Sequence, residues 1–232
     1  MVCVGLSADP PELRLTIVYD NTSIRPDLPS DWGFSALVDF RGQRILFDQG
    51  AKPELFQQNL KTLGIDASSI QKTLISHQHP NHSGAMYRAL PSGVIDFLDG
   101  LSRPHLAPPA QLGPGIYSTG EIPGSPPEQA LVIETSHGIV MLVSCAHPGI
   151  VRMVETVEKQ RNVSSIRLLA GGLHMFEQSE QQIRPAVARL QKLNVQSVAL
   201  GHCTGDRALQ IFHQAYGDHF STTGAGKRID LK

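Results

Sequence analysis

Ser76-His77-Gln78-His79-Pro80-Asn81-His82-Ser83-Gly84 is the stretch on which the chain turns. It follows a short apolar run, Thr73-Leu74-Ile75, bounded by polar turn residues, which reads as a buried strand with Lys72 at its start. Pro80 stops the strand from continuing and restricts His79 before it. Three histidines therefore gather on one tight loop at a strand end. His77 and His79 are two apart, so in extended backbone both side chains can point the same way. His82 opens the next segment and can face them across the turn. A lone histidine in a polar loop is ordinarily a surface residue. Three within six positions behind a buried strand point to a metal site, because imidazole nitrogen ligates zinc, iron and manganese.

The same local pattern recurs. Gly138 to Ser144 reads as a strand that runs into Cys145-Ala146-His147-Pro148-Gly149, with Pro148 starting a helix. Ile166 to Ala170 reads as a strand leading to Gly171-Gly172-Leu173-His174. Gln196 to Leu200 leads to Gly201-His202-Cys203-Thr204-Gly205 and a last helix, Asp206 to Tyr216. A fold that collects its strand ends would collect His77, His79, His82, His147, His174 and His202. Cys145 and Cys203 flank two of these positions and read as small buried residues packing strand ends.

The rest of the chain supplies the scaffold. Leu13 to Tyr19 alternates and is rich in β-formers. Asp20 to Ser23 reads as a turn. Gly33 to Phe40 and Gln43 to Phe47 read as a hairpin about Arg41-Gly42, with Asp48-Gln49-Gly50 at its end. Pro53 to Leu63 has helical spacing, with proline in the first turn and Gly64 as the stop. A helix is expected over His82 to Leu90 and a strand over Gly93 to Leu98. Prolines at 104, 108, 109 and 114 predict irregular loop over Ser102 to Gly115, which makes His105 a loop residue. Gln129 to Glu134 pairs with the strand ending at Ser144, placing His137 at an exposed turn. Ser179 to Leu193 is helical, with Pro185 expected to kink it or delay its start. Short strand pieces over Gly217 to Ile229 close the chain.

Bulk properties narrow the classes. The 232 residues are 41% hydrophobic, enough for a core, with net charge −1. That balance gives no electrostatic case for nucleic acid or an anionic membrane. Three widely spaced cysteines are no disulfide framework. With no signal-peptide pattern and no span-length apolar run, the expectation is a cytoplasmic protein acting on a small molecule, of unspecified oligomeric state.

The spacing His-x-His-x-Asn-His resembles the His-x-His-x-Asp-His signature of the metallo-β-lactamase superfamily, with Asn81 where that family carries an aspartate ligand. GEIPG, EQALVIETSHGIVMLVSCAHPGI, LAGGLHMF and GHCTG resemble a narrower branch: metal-dependent hydrolases related to dihydropterin-aminobenzene ribofuranosyl phosphate synthase. The resemblance covers nearly the whole chain. It implies one α/β (α+β) domain over residues 1–232, a four-layer αβ/βα sandwich of the metallo-β-lactamase fold. It implies His77, His79 and His147 as ligands of a first metal, and His82 and His202 of a second beside Asn81. Asp48 would orient a ligand histidine. Gly172 lies near the position of the usual bridging aspartate, so no such carboxylate is available. His174 is a ligand or a contact to substrate or to the attacking water. Zinc is the first expectation, with iron or manganese as alternatives, one ion tight and the second weak. A divalent ion would polarise an ester or phosphoryl oxygen and lower the pKa of its water toward ~7. The implied activity is hydrolysis of a small ester, a phosphate ester or lactone, with Asn81 and His174 at the reacting centre. The alternatives are a pterin-pathway synthase-like enzyme and a metal- or ligand-binding module without catalysis.

Overall fold

The computed structural model describes residues 11–84 and 107–232. The helix expected beyond Gly84, the strand over Gly93 to Leu98 and His105 lie outside them.

Two sheets organise the molecule. The first, in the order β12-β1-β2-β3-β4, is built from β1 (Leu13–Tyr19), β2 (Ser35–Phe40), β3 (Gln43–Phe47), β4 (Lys72–Leu74) and β12 (Arg228–Leu231). The second, in the order β11-β10-β9-β8-β7-β6-β5, comprises β5 (Ala110–Gly113), β6 (Ile116–Ser118), β7 (Leu131–Thr135), β8 (Gly138–Val143), β9 (Ile166–Gly171), β10 (Val198–Leu200) and β11 (Phe220–Thr222). Both are mixed: β3 and β4 run parallel, as do β8 to β11, and the remaining pairs are antiparallel.

Side chains alternate along each strand, and both faces of each sheet are covered. Leu15 and Ile17 of β1, Val38 and Phe40 of β2, and Phe47 of β3 pack face to face with Ile133, Leu142 and Leu168 of the second sheet. The opposite face of the first sheet (Val18, Leu37, Leu46) takes Phe56 and Leu60 of α1 (Pro53–Thr62). The outer face of the second (Val132, Met141, Leu169) takes α3 (Ile150–Arg161), α4 (Glu180–Lys192) and α5 (Asp206–Tyr216) through Met153, Ile183 and Phe212. The result is the expected four-layer sandwich.

Four local expectations change. The proline-rich stretch read as loop contains β5, paired to β6 about Pro114-Gly115; its prolines fall outside the four strand residues, so no ladder donor is lost. Pro148 lies before the helix, which starts at Ile150 after Gly149 at φ 93°. Pro185 neither delays nor divides α4: Ser179 and Gln182 form a capping box, and the helix runs without interruption through the proline. The helix expected from His82 instead starts at Pro80, as α2 (Pro80–Ser83).

A histidine cluster where the two sheets meet

The histidine loop is tied down by Asp48. This residue is fully buried at the end of β3, with φ 60°. Its carboxylate accepts from Ser76 N–H (2.7 Å), Ser76 Oγ (2.8 Å) and Ser144 Oγ (2.5 Å), and meets His82 Nδ1 at 2.9 Å. A carboxylate only accepts, so His82 carries its proton on Nδ1 and presents the Nε2 lone pair. Ser76 Oγ, already donating to Asp48, accepts from His77 Nδ1 at 2.8 Å, so His77 also presents Nε2. One carboxylate thus sets two imidazole tautomers.

The second sheet delivers its histidines by comparable devices. Glu128, fully buried, takes the backbone N–H groups of Ser144, Cys145 and Ala146 on Oε1 (3.1, 2.9 and 3.0 Å) and that of His147 on Oε2 (2.9 Å). The turn that carries His147 is therefore wrapped around one carboxylate, and Ala146 is held at φ 58°. On the far side Asp20 accepts from His202 N–H (3.1 Å) and Thr223 Oγ1 (2.7 Å), while Asn21 Oδ1 lies 2.9 Å from His202 Nδ1. His174 and His202 sit at φ 49° and 46°. Left-handed backbone at non-glycine residues is uncommon, and here Asp48, Ala146, His174 and His202 all adopt it around one site.

These anchors bring every histidine singled out in the sequence into one cluster. His77 Nε2 is 3.0 Å from His79 Nδ1, and the His147 ring lies 4.7 and 4.8 Å from the His77 and His79 rings. His82 and His202 are 4.9 Å apart, with Asn81 Nδ2 2.8 Å from His82 Nε2 and 3.5 Å from His202 Nε2. His174 packs 4.4 Å from His147. His137 remains at its exposed turn. Sequence reasoning passed over Glu128, Asp20 and Asn21: the first follows a proline pair, and the other two read as a turn. Only their distant partners reveal them.

Crowded imidazoles in a dry pocket resist protonation. Burial, then the neighbouring rings of His82 and His147, push the His77 pKa far down. Burial and His82 bring His202 to about 2; burial and His174 bring His147 to about 4. His79 is lowered by the same causes. His174 moves the other way, raised by its interaction with Cys203. The two thiols stand 3.3 Å apart. The hydrogen bond to Cys203 and burial push the Cys145 thiol up; at Cys203 burial acts upward too, but the bonds from Cys145 and His174 outweigh it and draw that thiol down.

The donor set fits a divalent metal. His77, His79 and His147 offer nitrogens all within 4.8 Å of one another. His147 Nε2 is buried without a hydrogen-bond partner. Neutral imidazoles with converging lone pairs are what a cation requires and what a purely structural cluster would avoid.

An aromatic rim flanks the cluster. Trp32 and Phe176 are 47% and 42% exposed and meet edge to face at 5.8 Å. Trp32 also lies 5.1 Å from His202, and Phe176 lies 5.1 Å from His174. Among the described residues no helix is long and apolar enough to cross a membrane.

No protein-family model matches the chain. It is 26% identical to 7,8-dihydropterin-6-methyl-4-(β-D-ribofuranosyl)-aminobenzene-5′-phosphate synthase of Methanocaldococcus jannaschii, over 92% of this chain and 95% of that protein. Among solved structures it resembles a metal-dependent hydrolase of the β-lactamase superfamily, at 25% identity and TM-score 0.77, covering 95% of this chain and 99% of the other. Human tRNase Z, short form, shares the fold at 12% identity and TM-score 0.60, over 94% and 99% of the two chains. The chain thus has the metallo-β-lactamase fold, with metal-dependent hydrolases of that superfamily among its structural neighbours.

Proposed function

We propose that this protein is a metal-dependent hydrolase of a small ester, either a phosphate ester or a lactone. The observation that carries the reading is the convergence of His77, His79 and His147 with the unpartnered, buried Nε2 of His147. A divalent cation there, zinc first by donor type, supplies Lewis acidity and an activated water at neutral pH. The protein's own part is to hold neutral imidazoles in fixed tautomers through Asp48 and to place Asn81 and His174 at the reacting centre. Asn81 cannot take a proton at neutral pH, so proton handling falls to His174. The second position, His82 and His202 beside Asn81, carries no carboxylate among these three and is the weaker of the two. The substrate is a small molecule, and two close unpaired thiols suit the reducing cytoplasm.

The similarity to the pterin synthase and the Trp32–Phe176 rim support a second reading, a pterin-pathway reaction on a flat aromatic substrate. The discriminating experiment compares metal-depleted and zinc-reloaded protein on phosphodiester, ester, lactone and dihydropterin substrates. Zinc-dependent turnover of one of the first three supports the hydrolase. Turnover confined to the dihydropterin supports the second reading, and no zinc-dependent turnover on any of them refutes both.

A further inference from the structure

Positions 81 and 172 carry an asparagine and a glycine and so supply no carboxylate, yet the site holds two thiols that the proposed chemistry does not use. Cys145 is 3% exposed and Cys203 is 1% exposed. Cys145 Sγ lies 3.3 Å from His82 Nε2, and Cys145, His77 and His82 offer ligand atoms within 4.8 Å of one another. His77 belongs to the first set of nitrogens and His82 to the second. Cys145 therefore stands between the two positions, where a shared anionic ligand would have to be.

Gly172 explains the arrangement. A Cβ at this residue would lie 2.4 Å from Ser144 O and 2.8 Å from Cys203 Sγ. No side chain can leave position 172 without displacing Cys203. Cys203 in turn accepts from His174 N–H at 3.2 Å and lies 3.3 Å from Cys145 Sγ, backing the thiol that faces the histidines.

We propose that the Cys145 thiolate is the bridging metal ligand of this site, replacing the carboxylate that position 172 has no room to carry. The inference rests on the metal-site reading above. A cation deprotonates a thiol that coordinates it, and the proton passes to solvent. The anionic sulfur then offsets part of the repulsion between two neighbouring cations. Cys203 is a positioning residue: its sulfur fills the space over Gly172 and packs 3.3 Å behind the Cys145 sulfur. A thiolate bridge also biases the site toward soft, thiophilic ions such as zinc over manganese.

The test is cobalt(II) substitution of the metal-depleted full chain, followed by electronic absorption and elemental analysis. Wild type should show visible d–d bands together with an intense near-ultraviolet sulfur-to-cobalt charge-transfer band. Cys145→Ser should lose the charge-transfer band, keep the d–d bands, and fall from two bound ions toward one. Cys203→Ala should keep the charge-transfer band. Wild type with d–d bands but no charge-transfer band overturns the thiolate bridge and leaves the histidine site standing, whether or not either variant folds. A band that survives Cys145→Ser and vanishes in Cys203→Ala overturns the assignment of the bridge to Cys145. Absence of any cobalt spectrum overturns this inference and the metal-site reading together.

Discussion

His82 Nδ1 and Asp48 Oδ2 are 2.9 Å apart with both side chains fully excluded from solvent. The contact joins the end of β3 to the histidine loop, and Ser144 Oγ from the second sheet closes on the same carboxylate oxygen. Asp48→Asn keeps the size and offers an amide that can turn a donor toward His82, favouring the wrong tautomer. Metal affinity should fall about 10–100-fold, as for other residues that orient a ligand histidine. Competition against a chromogenic chelator measures it; unchanged affinity would remove Asp48 from the site.

Acid should destabilise the metal-free protein through the same histidines. His202 titrates near 6.5 when unfolded and near 2 when folded, and His77 is lowered as well. Between those values the unfolded chain binds the extra proton, so stability rises with pH. It is complete above about 6.5 and is lost progressively as pH falls toward the folded values. The slope should approach ~1.4 kcal/mol per pH unit for each fully buried ring. Urea unfolding at several pH values tests it; a flat profile from pH 7 to 5 would contradict the burial argument.

Asn81→Asp should tighten the second ion and, in a hydrolase, raise turnover. Asn81 Nδ2 lies 2.8 Å from His82 Nε2, so a carboxylate there would face the same nitrogen with a negative charge. Metal content after dialysis, wild type beside variant, is the measurement. Equal retention of both ions would make the charge at 81 irrelevant.

Glu128→Ala would leave four backbone N–H groups, three of them buried, without an acceptor. The expected loss is at least about 3 kcal/mol of stability, with His147 released from its place. Chemical denaturation checks the first part and zinc content the second. A loss below about 1 kcal/mol would mean that water replaces the carboxylate.

Trp32→Ala should raise KM with little change in kcat if the rim stacks on substrate, since it removes binding made equally in ground and transition states. The expected factor is on the order of ten, corresponding to ~1–3 kcal/mol of stacking. An unchanged KM on the best substrate would take the rim out of recognition.

The site was legible because its histidines sit behind strands with strong local signals: LRLTIVY, QRILF and GIVMLV announce themselves by composition alone. The supporting shell was not. Glu128 acts on backbone 16 to 19 residues away, and Asp20 on His202 at a separation of 182, neither of which leaves a periodic trace. Proline misled in both directions. Around β5 it falls outside the paired residues, and in α4 the capping box and the buried face of Ile183, Val187 and Leu190 outweigh Pro185.

Each half of the sandwich contributes an incomplete hand to the cluster. His77, His79, His82 and Asp48 come from the first sheet's side, and His147, His174 and His202 from the second's. Gln129 spans the seam, donating through Nε2 to Ile75 O and through its backbone N–H to Ser76 O. An ion in this place would be a clasp between the halves. Chelation should therefore speed hydrogen exchange first along the seam, at Ser76 and Gln129, before it reaches the centre of either sheet.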